Sequence, residues 1–528
     1  MALARLGAVD RRSMLCTAAA GWLTAVAGGH AATSSGDGKG AEDGGAAAFS
    51  FETVILLARE AAAEAFEARR LELEAPFAGL DYDAYRAIRP RPERRLWYGE
   101  QRGFEIDLLP PGLFYEDRLA ISVVSAGQAV ELAFDPGLFH YHPDHFPYAD
   151  GAAPPDAPRD LGYSGFRVRF PINRPDVMDE FLVFQGASYF RAIARDQLYG
   201  LSARGLALGT GGQAGEEFPV FRRFWIHEPE PEAKSLRIHA LLDSPSVAGA
   251  FEFVVQPGAE TIIDVRSVLF PRTDLQTAGI AALTSMYYFG PKSRAGVDDF
   301  RNAVHDSSGL QMITGADERL WRPLDNPATL QFSAFVDRDP QGFGLAQRER
   351  DFARYEDAEA HYERRPSAWV EPQGDWGEGA VVLVEIPTAS EFNDNIVAFW
   401  RPARTLAAGA EHRFDYRLYW SDQPPDSVPL ARVAATRGGA SVNDPARRSL
   451  VVDFALGELP FDGLEPRASA SAGEIESISL IRLPGEGRAR AAIGYDPQDA
   501  ELAELRLVLV DDEGRRASET WLARWTKR

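Results

Sequence analysis

From about residue 104 onward the chain alternates apolar and polar residues with period two, in short runs broken by Gly, Pro and Asp. GAFEFVVQPGAETIIDVRSVLF is the plainest instance, two strands around a turn. Such alternation buries one face of a strand and leaves the other polar. FEIDLL, RLAISVVSAGQAVELAFD, GFRVRFPI and SLRIHALL read the same way, as do AVVLVEIP, NIVAFW and HRFDYRLYWS. Strands do not alternate regularly with long helices, which argues against a parallel βαβ architecture. The pattern predicts an all-β chain built as a large antiparallel β-sandwich. Two helices are predicted ahead of it. One covers FETVILLAREAAAEAFEARR, with Val54, Leu57, Ala61 and Ala65 at helical spacing; a shorter one covers DYDAYRAI and ends before Pro90.

A chain of 528 residues is too long for one simple core. The proline-rich SDQPPDSVPL follows a strand and marks the best boundary. The expected organisation is a large sandwich over 49–421, a linker over 422–432 and a small immunoglobulin-like sandwich over 433–528. Ahead of these, Arg11-Arg12, a weakly apolar run and small residues up to residue 32 have a signal-peptide layout, and the arginine pair suggests twin-arginine export. That run falls short of the ~20 residues of a membrane span, so no stable membrane insertion is expected. Residues 33–48 read as a flexible linker. The one cysteine, Cys16, lies in the leader, which leaves the exported part without disulfide or thiol chemistry.

The net charge of −22 argues against nucleic acid and against polyanions in general, and favours a neutral partner. HYHPDH carries His140, His142 and His145, but Pro143 breaks the element that would aim them together. The Gly-rich GTGGQAGEE lacks the ending of a phosphate loop and reads as a flexible loop. No GxSxG elbow exists, and no motif demands a metal or organic cofactor. Carboxylates remain. Asp306 in HDSSGL and Asp394 in NDN stand in loop-like text beside apolar runs, where turn roles suit them equally well. Between them lies a dense set of rings and guanidinium forks: Trp321, Arg322, Arg350, Tyr355, Tyr362, Arg365, Trp369 and Trp376. Rings stack on sugars and forks bridge hydroxyls, although core and surface roles explain the same residues.

Over about residues 50–420 the sequence resembles the periplasmic glucan biosynthesis proteins, the G and D proteins of osmoregulated periplasmic glucan synthesis. The text that carries the resemblance includes GASYFRAIARDQLYGLSARGLAL, GEEFPVFRRFWI, HDSSGL, WRPLDNP, DPQGFGLAQRERDFARYED, RPSAWVEPQGDWGEG and VEIPTASEFNDNIVAFW. The twin-arginine leader is closer to the D branch. The resemblance implies a large sandwich similar to galactose mutarotase-like folds joined to an immunoglobulin-like domain, a periplasmic location, and β-1,2-linked glucan as substrate. It implies an inverting endo-β-1,2-glucanase in which Asp394 is the general acid, Asp306 the general base, and Tyr362 stands near the cleaved linkage. The remaining rings and arginines of that stretch are expected along the sugar groove. Asn393 and Asn395 would orient Asp394 without adding charge.

Two alternatives stay open: a transglycosylase giving cyclic or branched glucan, and a non-catalytic scaffold guiding glucan from an inner-membrane synthase. Nothing in the sequence sets the oligomeric state.

Overall fold

A computed structural model describes residues 48–147, 151–154, 157–213, 215–426, 428–485 and 487–527. The leader and nearly all of the predicted linker therefore lie outside the described residues. The chain is all-β with antiparallel sheets, as the alternation predicts.

Two sheets make the large sandwich. The first has ten strands, from Glu105–Leu109 at one edge to Gln331–Arg338 at the other. The second belongs to a 14-stranded ladder in which Val220–His227, Leu236–Asp243, Val247–Gln256 and Thr261–Pro271 form a meander. The apolar half of each alternation faces inward. Phe166, Phe184 and Phe190 of the first sheet meet Phe224, Phe253 and Trp420 of the second, with ring centroids 5.0–5.9 Å apart. The polar half of the first sheet faces away from this core.

The first helix runs Phe51–Ala63, shorter than predicted, and buries Phe51, Val54, Ile55 and Ala58 against the outer face of the second sheet. Its buried stripe is thus rotated from the predicted one, and Leu57 is only partly covered. The helix stops because Arg272 takes its last carbonyls: the guanidinium donates to Ala61 O at 2.5 Å and to Glu64 O at 2.9 Å. The second helix, Tyr82–Arg86, starts at Asp81, whose carboxylate accepts from Ala84 N at 2.8 Å. Among the described residues no helix is long and apolar enough to cross a membrane.

The last strand of the large sandwich ends at Ser421 and the next begins at Arg432. The C-terminal unit is a four-stranded sheet facing the strands Glu465–Ala470, Leu502–Val510 and Thr520–Thr526 around its own core. Those three strands continue the ladder of the large sandwich, because Leu320 and Trp321 pair in parallel with Thr520 and Trp521. Arg348 seals the junction. Its guanidinium lies 3.6 Å over the Trp321 ring and bonds Glu519 at 2.6 and 2.8 Å.

Under the N-terminal helix, His239 bonds His227 at 3.2 Å and Glu252 at 2.9 Å, with Phe49 and Phe51 against its ring. Burial, then the His239 ring, push His227 down to about 4. Burial acts upward on Glu252, but His239 and Arg266 outweigh it and bring the carboxyl down to about 2. Both groups bind protons more readily unfolded, so both stabilise at neutral pH and lose that contribution on acidification. His227 loses it between pH ~6.5 and 4 and Glu252 between ~4.5 and 2. The thermal midpoint should therefore fall from pH 7 to 5, and His227→Gln should flatten that fall; an equally steep fall in the variant would remove His227 as its source.

Candidate functional site

Strand alternation builds the floor of the cleft. Tyr189 and Arg191, two residues apart on Tyr189–Ala192, point outward while Phe190 and Ala192 enter the core. Arg204 stands opposite Tyr189 in register, its guanidinium 4.7 Å from the ring. Segments 66–70 and 114–117 form the opposite wall, with Phe66, Phe114 and Tyr115. Two cavities result, of about 670 and 540 Å³, and Phe114, Tyr115, Gln185 and Tyr189 line both. The two adjoin at these four residues, and each is of a size that takes a small ligand.

Asp394 lines the larger cavity from the loop that precedes the strand Ile396–Pro402. Its side chain is 14% exposed, and Arg191 Nη2 lies 3.7 Å from Oδ2. Arg191 is itself held by Ser202, which accepts from its Nε at 2.6 Å. Asn395 positions the loop through the backbone. Its amide donates to Tyr287 O and Ile386 O, both at 3.0 Å, and its Oδ1 accepts from Tyr287 N at 2.8 Å. The expected pair of orienting asparagines thus divides: Asn395 is a buried clamp, and Asn393 is exposed with one 3.5 Å contact to Thr388.

Asp306 is anchored to the same segment. His305 pairs with Tyr287, and Asp306 N donates to Met286 O at 2.8 Å. The two predicted carboxyls therefore hang from neighbouring points of one tie. Asp306 is only 6% exposed and lines neither cavity. Arg365, which lines the smaller cavity, stands between: its Nε is 3.8 Å from Asp306 Oδ1, and it donates to Ala360 O at 2.7 and 3.1 Å. Gln347 fixes the neighbourhood by bonding the His305 ring at 3.0 Å, His305 O at 2.8 Å and Tyr362 O at 3.0 Å.

Tyr362 is buried beneath these loops, with its hydroxyl donating to Glu391 at 3.1 Å. Glu391 pairs with Arg301 at 2.7 Å, and Arg301 also bonds Asp357 at 2.8 Å. Burial opposes the Arg301 charge, but Asp299, Asp357 and Glu391 outweigh it and hold the guanidinium charged. Tyr355 stacks on Tyr362 at 5.8 Å, inside the same small core.

The other rings expected along the groove lie elsewhere. Trp321 is in the core of the C-terminal unit, Trp369 is buried in the second sheet, and Trp376 is in the main core with Nε1 donating to Asp415 O at 3.3 Å. A side chain at Gly309 or Gly342 would strike the Trp321 or Trp369 ring within 2.3 Å, so each tryptophan fills the space a glycine leaves. Arg322 and Arg350 also lie outside both cavities. Arg322 makes a fully buried pair with Glu385 at 3.0 Å, just before the Asp394 loop. Arg350 ties Glu363 O at 3.1 Å to Asp422 O at 2.6 Å, bracing the loops against the linker.

Sequence reasoning misses Tyr189, Arg191 and Arg204, although GASYFRA and SARG carry them. The period-two spacing of Tyr189 and Arg191 was the available signal. It also read 209–217 as a flexible loop, whereas Glu216 is bonded by Arg204 and Thr210, both at 2.5 Å, and Glu217 by Ser246 at 2.6 Å. Asp117 is a further cleft carboxyl; burial pushes it up, opposed by Arg70 and Arg222.

Comparison with known proteins agrees with the motifs. The family model described as periplasmic glucan biosynthesis protein, MdoG, matches residues 49–525. Similar proteins include glucans biosynthesis protein G of Vibrio cholerae serotype O1, 48% identical over 483 residues, covering 90% of this chain and 87% of the relative. Glucans biosynthesis protein G of Shewanella frigidimarina is 46% identical over 482 residues, covering 90% and 85%. These relatives carry the G name, rather than the D name suggested by the paired arginines of the leader.

Asn395→Ala removes three buried hydrogen bonds and leaves their partners unmet, which should lower unfolding free energy by about 3 kcal/mol. Asn393→Ala should change it by less than about 0.5 kcal/mol. Denaturant titration of the two variants checks this, and equal effects would dispose of the clamp.

Proposed function

The chain belongs to the periplasmic glucan biosynthesis protein family, and from that membership we propose that it cleaves β-1,2-linked glucan with inversion, Asp394 acting as general acid and Asp306 as general base. One observation carries the reading: a carboxyl in a sugar-sized cleft and a second carboxyl are tied to the same Tyr287 segment. Glycoside hydrolysis needs that division of labour, one carboxyl giving a proton to the leaving oxygen and the other accepting one from the nucleophile.

The surroundings set conditions on each role. Arg365 stands 3.8 Å from Asp306, a guanidinium beside the carboxyl assigned as base. Asp306 is shielded from the cleft, so it takes the proton through a relay rather than from a water in direct contact. Arg191 stands 3.7 Å from Asp394, so the acid role requires a bound sugar to bring its leaving oxygen within hydrogen-bond reach of Asp394 in place of that contact. Tyr189, with its ring braced by Arg204, offers a flat face to that sugar.

With β-1,2-glucan as substrate, the protein should release shorter oligosaccharides. Asp394→Asn should reduce the rate by about 10²–10⁴-fold while glucan still binds. Asp306→Asn should also reduce it, and Asp117→Asn much less. Full turnover in Asp394→Asn, or a larger loss in Asp117→Asn, would reassign the acid. Product masses decide between hydrolysis and transfer, since a cyclic product is lighter by one water. Binding without any bond cleavage would leave the scaffold role, with an inner-membrane synthase as its partner.

Its compartment is the periplasm, as the family's is. The twin-arginine route rests on Arg11 and Arg12. Replacing both by lysine should trap the protein in the cytoplasm; normal periplasmic accumulation would rule the route out.

A further inference from the structure

The smaller cavity runs against the charge of the whole protein. The chain carries −22, yet Arg86, Arg89, Arg167, Arg169, Arg191 and Arg365 all line this one compartment. Asp107 and Glu180 are the acids lining it, and both are already engaged. Asp107 accepts from Arg169 at 2.6 Å and from Arg95 at 2.8 Å, and Glu180 lies 3.3 Å from Arg167. Among the described residues Arg86 and Arg89 make no ion pair: Arg86 lies 5.2 Å over the Tyr82 ring, and Arg89 Nε donates to Arg86 O at 3.3 Å. The lining phenols Tyr85 and Tyr199 are pushed up by burial and add no negative charge.

A neutral sugar offers donors and acceptors in similar number. Arg191 and Arg365 already face Asp394 and Asp306, which leaves Arg86 and Arg89 as lining guanidiniums without a carboxylate partner among the described residues, so the compartment suits a ligand that accepts and carries negative charge. We infer that the smaller cavity is a binding site for an anionic group, a phosphate or carboxylate, continuous with the cleft that holds Asp394. At about 540 Å³ it takes a sugar ring together with such a substituent. The group is either carried on the glucan chain or is a free small anion. The chain-borne source rests on the glucan reading above; the anion site itself does not. Arg191 links the two compartments, since it lines the smaller one and lies 3.7 Å from Asp394 in the larger. A chain-borne anion would therefore bias where the chain is cut.

Titration calorimetry on the full chain tests this with three probes: inorganic phosphate, a neutral β-1,2-gluco-oligosaccharide, and the same oligosaccharide bearing a phosphate ester. At least one phosphate-bearing probe should bind with an affinity that drops about tenfold from low to high salt. It should drop about tenfold again in Arg86→Gln/Arg89→Gln. The double variant should keep the parent's thermal midpoint; if it does not, Arg89→Gln alone, at an exposed side chain, serves instead. Tighter binding of the ester than of the neutral chain assigns the anion to the glucan. The same dependence for inorganic phosphate alone assigns a free anion. Failure of the neutral oligosaccharide to bind counts against the glucan reading and leaves the phosphate arm to stand by itself. Salt-insensitive binding of every probe, or phosphate affinity unchanged in the variant, overturns the anion site.

Discussion

The arrangement of the cleft depends on one amide. Asn395 bonds both the N–H and the carbonyl of Tyr287 and also the carbonyl of Ile386. A side-chain amide that meets a peptide at both ends fixes distance and direction together, which one hydrogen bond does not. The tie joins the loop bearing Asp394 to the strand pair bearing Asp306, and these are 88 residues apart in the chain. WRPLDNP repeats the device. Asn326 bonds the carbonyls of Tyr288 and Thr388 at 3.0 and 2.9 Å and accepts from Thr388 N at 3.0 Å. Arg322 meets the buried Glu385 beside it. That motif holds the loop.

The division between legible and illegible residues follows from this. Strand alternation needs only local sequence, so the sandwich and its inward rings could be read directly. Asp306 and Asp394 came from motif text, since composition does not separate two acids from 78. The aromatic stretch misled because a count of rings says nothing about which side of a sheet each one takes. Trp321 and Trp369 settle over glycines on adjacent strands, a relation that exists only once the strands have paired. Tyr189 and Arg204 fail in the opposite sense: each is unremarkable alone, and registration of two strands makes them a floor.

Charge shows the same dependence on scale. A net −22 describes the protein's far field, and within a Debye length of about 8–10 Å the local lining takes over. The cleft floor is rich in arginine because its outward strand positions select it, as at Arg167, Arg169, Arg191 and Arg204. A guanidinium keeps its charge at any working pH and presents a rigid fork. Most of these forks are already aimed by a partner, such as Ser202 for Arg191 and Thr284 for Arg204 at 2.7 Å. A floor aimed in this way loses little freedom when a ligand arrives.

The C-terminal unit belongs to this support. Its ladder joins the large sandwich at Trp321, and Trp321 shares a hairpin with the strand Gly309–Ile313 that begins three residues after Asp306. Arg348 faces the junction with its guanidinium, on Glu519 and Trp321. Its backbone N–H faces the site, donating to Ser308 at 3.1 Å. The preceding residue, Gln347, clamps His305 and Tyr362. Freeing Glu519 from Arg348 would leave a charge buried without a counter-charge, one residue of chain away from the clamp on His305 and Tyr362. A small sandwich placed here does more than extend the molecule. By closing one side of that hairpin it limits where Asp306 can stand.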